Sequence, residues 1–159
     1  MRSSSYDCSP KLGKGKDGCN CGSSVAEAIE RGCKFDSLAM ARLPPHCRDD
    51  ELTAEFNTKG TGPNGTWVYY ADTAHTIPVD AADVARMGDD PFARVRMDKN
   101  WHQIHCVFDW LKQFRSQTRG TIVEPRSNTE SHIKHCGTVM REPGYGTISG
   151  VALNTNAEE

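Results

Sequence analysis

Residues 98–142 read DKNWHQIHCVFDWLKQFRSQTRGTIVEPRSNTESHIKHCGTVMRE, and the periodicity of this stretch decides the fold. Asp98 is placed to cap a helix running through WHQIHCVFDWLKQFRSQTR to Gly120, with Trp101, Ile104, Val107, Phe108 and Leu111 as an apolar stripe. Ser127 and Glu130 form a capping box ahead of a second helix, SHIKHCGTVMRE, which Pro143-Gly144 stops. Both helices carry one motif, His102-x-x-His105-Cys106 and His132-x-x-His135-Cys136. At about 100° per residue, the two histidines and the cysteine of each motif project within an arc of roughly 100°. With this chain's own His and Cys frequencies, one motif arises by chance in about one chain in a hundred, and two in roughly one in twenty thousand.

Histidines three apart on a helix can both reach one metal ion while the opposite face packs. If the two helices pack with these sides facing, His102, His105, His132 and His135 form a four-imidazole site, the candidate catalytic and metal-binding set. Such a site suits copper, with zinc or iron as alternatives, better than magnesium or calcium, which prefer oxygen ligands. Cys106 and Cys136 have two readings: thiolate ligands, or a disulfide that joins the helices or reaches an N-terminal cysteine. The disulfide is favoured, because four imidazoles already fill a coordination shell. Asp109, four residues after His105 on the same side, can orient that imidazole from behind; a solvated helix carboxylate is the competing reading. His46 and His75 stand in loop contexts as structural or surface residues.

Upstream, Ser24 and Glu27 cap a short helix over 24–31, which Gly32 ends, with Cys21 and Cys33 just outside it. The apolar stretch Phe35 to Leu43 is compatible with a helix that Pro44-Pro45 stops. Asp49 opens another helix, DDELTAEF, with Leu52 and Phe56 on one face. NTKGTGPNGT at 57–66 is a loop, and its Asn64-Gly65-Thr66 is a glycosylation acceptor if the chain enters the secretory pathway. Trp67 to Tyr70 favours a strand, 81–87 one or two helical turns, and Val95 to Met97 a strand. The expected architecture is a small single α+β domain, predominantly helical, with the two motif helices packed together and a few short strands. Its limits are a disordered leader over 1–18, a folded domain over 19–144 and a mobile tail over 145–159.

The whole chain has 159 residues, enough for one domain. Its 19 Lys and Arg against 21 Asp and Glu argue against nucleic-acid binding through phosphate contacts. No run approaches the roughly 18 to 20 apolar residues of a bilayer span, and the first twenty residues lack the apolar centre of a secretory signal. No targeting segment is visible. Seven cysteines are many for a reducing compartment, where they indicate metal or catalysis; in an oxidising one they indicate disulfides. The five before residue 48 read as a staple for a small core.

The pair WHQIHC and SHIKHC on successive helices resembles the two HxxHC motifs of the UstYa-like proteins of fungal mycotoxin biosynthesis, and the upstream block CGSSVAEAIERGCKFDSLAMARLPPHCRDDELTAEF is similar to a cysteine-containing segment preceding them in one branch of that family. The resemblance covers roughly residues 19 to 142. It implies an oxidoreductase that tailors a secondary metabolite, by oxidative cyclisation, hydroxylation, dehydrogenation or halogenation of a peptide or polyketide-derived scaffold. It also implies copper as the metal, and His102, His105, Cys106, His132, His135 and Cys136 as the site. Partners implied are a small-molecule biosynthetic intermediate and homo- or hetero-oligomers with related family members. By the same resemblance this is the lumenal domain of a single-pass membrane protein, here without the transmembrane helix, as in a truncated form or an incomplete gene model. The expected reaction site is a cleft facing Trp67, Tyr69 or Tyr70. The alternative from another class is a non-catalytic disulfide-containing domain with a structural zinc site, which needs the cysteines as ligands.

Overall fold

The computed structural model describes residues 18–144 and 146–156. Apart from Gly18, the leader expected over 1–18, with Cys8, lies outside the described residues. The fold is a small mixed α+β domain in which two short sheets and five helices enclose one aromatic core. Helix α1, Val25–Glu30, starts as its capping pair requires: Ser24 Oγ accepts from the Glu27 amide at 3.1 Å. Gly32 follows in the left-handed region (φ 75°).

The next segment departs from the expectation. Phe35 to Leu43 is not a helix but a hairpin, β1 (Lys34–Asp36) antiparallel to β2 (Ala41–Leu43). Asp36 turns the chain, because its Oδ1 accepts from the Leu38 and Ala39 amides at 3.0 and 3.1 Å, and Met40 takes a positive φ of 49°. A nine-residue apolar run fits either period, and the Asp side chain decides by offering the backbone a turn. Disulfides Cys19–Cys47 and Cys21–Cys33 clamp this N-terminal region, as the cysteine count suggested.

Helix α2, Asp50–Phe56, is capped by Asp49 and buries Leu52 and Phe56 as expected. After the 57–66 loop, in which Asn64 is exposed, come β3 (Tyr69–Tyr70), β4 (Pro78–Val79), α3 (Ala81–Val84) and β5 (Val95–Met97). Helix α4, Lys99–Arg119, runs from its Asp98 cap to Gly120 at φ 70°. Its buried face differs from the expected stripe: Trp101 and Phe108 are buried, but Val107 and Leu111 are exposed at 37% and 39%, while Asp109 and Lys112 are buried in their place. Helix α5, Glu130–Arg141, begins at Thr129, whose Oγ1 accepts from the His132 amide at 3.0 Å; Ser127 is not its cap and is buried in the preceding turn.

Residues 146–156 correct the expectation of a mobile tail over this stretch. Strand β6, Thr147–Ser149, pairs antiparallel with β5 and completes a four-stranded sheet in the order β4-β3-β5-β6. Gly146 permits the approach, since a Cβ there would sit 1.6 Å from the Met97 carbonyl oxygen. Farther on, Cys21 N donates to Leu153 O, Arg42 N to Ala152 O and Arg126 N to Thr155 O. The tail contributes few apolar side chains, but its backbone groups join the N-terminal hairpin to the sheet.

Phe56 is the centre of the core, with ring centroids 4.9 Å from Trp67, 5.5 Å from Phe108 and 5.9 Å from Trp101. Arg115 on α4 holds Asp49 through two bonds of 2.6 and 3.0 Å, so the carboxylate that caps α2 also docks α2 against α4.

Candidate metal centre

Helices α4 and α5 are joined by the Cys106–Cys136 disulfide, both cysteines fully buried. The bond uses both sulfurs, so of the two readings of these cysteines the disulfide holds and the thiolate ligands do not. It also brings the four motif histidines together. His102 Nε2 lies 3.0 Å from His135 Nε2, and the ring centroids of His105 and His132 are 5.8 Å apart with their planes nearly perpendicular. His46, bonded to the Gly18 carbonyl, and His75, stacked on Tyr70, lie elsewhere.

His105 is the most firmly held ring. It stacks on Trp101 at 4.8 Å, and its Nδ1–H donates to the Leu38 carbonyl oxygen at 2.7 Å. A carbonyl only accepts, so the proton is on Nδ1 and the Nε2 lone pair is bare. That lone pair faces Asp109 Oδ2 at 3.4 Å, and His132 Nε2 faces the same oxygen at 3.7 Å. Asp109 is 2% exposed, and neither of its carboxylate oxygens has a hydrogen-bond partner. The three groups offer ligand atoms within 4.8 Å of one another. An orphaned buried carboxylate beside two imidazole nitrogens is a donor set that copper, iron or zinc fits.

Beneath Asp109 lies a charged pair that the sequence reading missed. Lys112 and Glu124, 1% and 0% exposed, meet at 2.5 Å, with Asp36 also buried nearby. Burial works against the Lys112 charge, but the Glu124 and Asp36 carboxylates outweigh it and hold the ammonium above its ordinary pKa. The only sequence signal was a lysine three residues after Asp109 on a face otherwise read as apolar; nothing pointed to Glu124.

The four histidines open on a cleft of about 400 Å³ whose other walls include Met40, Arg126 and strand β6. Trp67, Tyr69 and Tyr70 do not line it, against expectation: Trp67 and Tyr69 are consumed by the core. Polar walls of Ser127, Thr129 and Ser131 take their place.

Burial lowers the pKa of His102 to about 4, aided by the neighbouring imidazoles, and that of His105 to about 4; it raises Asp109 to about 8, with Glu124 adding to the effect. Imidazoles in the unfolded chain protonate near pH 6.5, so from there down to pH 4 the unfolded state takes up protons that the folded state refuses. Stability therefore falls on acidification. Asp109 has the opposite sign: between about pH 4 and 8 the folded state keeps a proton the unfolded state has released, so stability falls as pH rises. Burial also lowers His132 and raises Asp36, so the imidazoles dominate on the acid side of pH 6.5 and the buried carboxyls on the alkaline side. The metal-free protein is expected to be most stable near neutral pH, with an alkaline decline up to pH 8 that Asp109→Asn reduces. Urea midpoints across pH 4–8 check this; a wild-type stability still rising at pH 8 would contradict it.

No family model matches the chain, and no solved structure matches it. Two proteins of Diaporthe leptostromiformis, phomopsin biosynthesis cluster proteins B and B', are each 25% identical to it over 118 residues. The aligned stretch covers 73% of this chain and 34% of each of those proteins, so the chain spans about a third of the length of the curated relatives it matches. Over most of its own length it is similar to one segment of two proteins from a phomopsin biosynthesis cluster.

Proposed function

We propose that this chain is a copper-dependent, UstYa-like oxidative tailoring enzyme of fungal secondary metabolism, acting on a peptide or polyketide-derived scaffold by cyclisation, hydroxylation, dehydrogenation or halogenation. The similarity to phomopsin cluster proteins supports a place in secondary-metabolite biosynthesis. The observation that carries the metal chemistry is the convergence of His102, His105, His132 and His135, from two helices tied by a disulfide, on one side of an open cleft.

Copper held there would supply one-electron redox chemistry with dioxygen as oxidant. The chain's own residues have separate tasks. Leu38 fixes the tautomer of His105, and Trp101 fixes the plane of its ring. The disulfide holds the two halves of the site in register without side-chain freedom to lose. Met40 and Ile148 give the cleft an apolar edge, and Thr129 and Ser131 give it hydroxyl groups for a scaffold rich in amides or hydroxyls. Three disulfides among the described residues support work in an oxidising compartment, such as a lumen; among those residues no helix is long and apolar enough to cross a membrane. The structural-zinc alternative needed Cys106 and Cys136 as thiolates, and the disulfide occupies both.

Protein made in an oxidising host, stripped and reloaded separately with copper, zinc and iron, tests the reading. Stoichiometric copper, and dioxygen uptake dependent on a candidate scaffold, are expected. Stoichiometric zinc with no redox-active species, and unfolding on chelation, would overturn it.

A further inference from the structure

The four histidines are not equivalent. His102 and His135 satisfy one another, since Nε2 to Nε2 at 3.0 Å is one N–H···N bond, and they stand at the open side of the cleft. The inner group does not satisfy itself. His105 presents a bare Nε2 lone pair, fixed by the Leu38 carbonyl behind it, to a carboxylate that also only accepts when ionised. Asp109 is buried, both oxygens lack a partner, and the cation that could neutralise it, Lys112, is already bound to Glu124. Ionising this buried carboxyl without a donor is costly, and a fold that places it between two imidazole nitrogens leaves a site where a positive charge would offset that cost.

We propose that Asp109 is a direct metal ligand, and that the inner ion is held by His105 Nε2, His132 Nε2 and Asp109 Oδ2, with His102 and His135 as an outer pair bordering the substrate cleft. This rests on the metal reading above and changes its ligand set from four imidazoles to two imidazoles and a carboxylate. Ligand atoms bonded to one ion at about 2.0–2.2 Å stand roughly 3–3.5 Å from one another; the carboxylate oxygen lies 3.4 Å from His105 Nε2, inside that range, and 3.7 Å from His132 Nε2, a small side-chain rotation outside it. The motif hides this ligand because Asp109 falls outside both HxxHC repeats and is joined to His132 only across the helix pair. Two imidazoles and one carboxylate bind a divalent ion with coordination positions left open, and they favour Cu(II), Fe(II) or Zn(II) over Cu(I), since the carboxylate is a hard ligand.

The test uses Zn(II) and Co(II) with the intact, disulfide-bonded protein. Asp109→Asn is expected to weaken Zn(II) binding at least about tenfold and to abolish the rise in melting temperature that Zn(II) gives the wild type. Without metal, the same variant should melt no lower than wild type, because it replaces a buried carboxyl that has no hydrogen-bond partner. Weakened affinity alone would also follow if Asp109 merely oriented His105, so a second variant reads contact directly. Asp109→Cys loaded with Co(II) should gain a thiolate-to-cobalt charge-transfer band, which requires the side chain at position 109 to touch the ion. Unchanged Zn(II) affinity in Asp109→Asn, or no such band in a folded, cobalt-loaded Asp109→Cys, would overturn the assignment while leaving the metal reading in place. A wild-type chain that takes up no metal would overturn both.

Discussion

Lys112→Met is expected to lower the unfolding free energy by about 3–5 kcal/mol at neutral pH, a large part of the stability of a domain this size. Methionine keeps the volume of the lysine stem, so the loss is electrostatic: Glu124, fully buried, loses the ammonium 2.5 Å away, and Asp36 loses the same screening charge. Replacing both partners, Lys112→Met with Glu124→Leu, should recover most of the loss, because no uncompensated buried charge remains. Urea denaturation of the two variants and the wild type decides it. A single variant within about 1 kcal/mol of wild type would show that water reaches this pair and that it is not buried as described. The substitution also acts one helical turn away. Lys112 draws down the pKa of Asp109, so its removal should push that carboxyl above its already raised value of about 8 and strengthen the competition between metal and proton at neutral pH.

The Cys106–Cys136 disulfide gives the second large effect. It closes a loop with a sequence separation of 30, which in the chain-entropy picture stabilises by about 3.5 kcal/mol. Cys106→Ala with Cys136→Ala is expected to lose that amount with little cavity, since both sulfurs are buried and only two atoms are removed. The functional loss should be larger. Asp109 and His105 belong to α4 and His132 to α5, and the disulfide is the covalent bond between the helices inside the site. Metal affinity should fall steeply in the double variant even where far-ultraviolet circular dichroism shows the helices intact. Full metal affinity without the bond would show that packing alone aligns the two motifs.

How legible the site was varied with the distance over which its parts act. The doubled HxxHC spacing was readable because three residues on one helix turn share a side by geometry alone, whatever surrounds them. Asp98, Ser24 and Asp49 were readable at helix starts for the same reason, since each acts on an amide three residues away. Thr129 was missed in favour of Ser127 because both head plausible boxes, and only the path of the chain out of 121–128 selects between them. The stripe on α4 was misjudged at two of its five positions: Val107 and Leu111 face out and Asp109 and Lys112 face in, because Glu124, from a loop with no periodicity, supplies a partner that makes a buried lysine tolerable.

Sequence alone determined what is local: which residues make the doubled motif, that they ride on helices, that a disulfide is favoured over thiolate ligands for its cysteines, and that the domain is a small α+β unit. Tertiary structure decided what depends on residues far apart in the chain. It turned Phe35 to Leu43 into a hairpin whose Leu38 carbonyl sets the tautomer of His105, and drew 147–149 into the sheet and 152–155 against the N-terminal segment through backbone bonds that no side-chain pattern announces. It also divided four apparently equal histidines into a satisfied outer pair and an inner pair facing an orphaned carboxylate. The physical reason is that burial and pairing belong to the environment rather than to the residue: Asp109 is an ordinary helix carboxylate by its sequence, and becomes a candidate ligand only because the fold excludes water and leaves it no other partner.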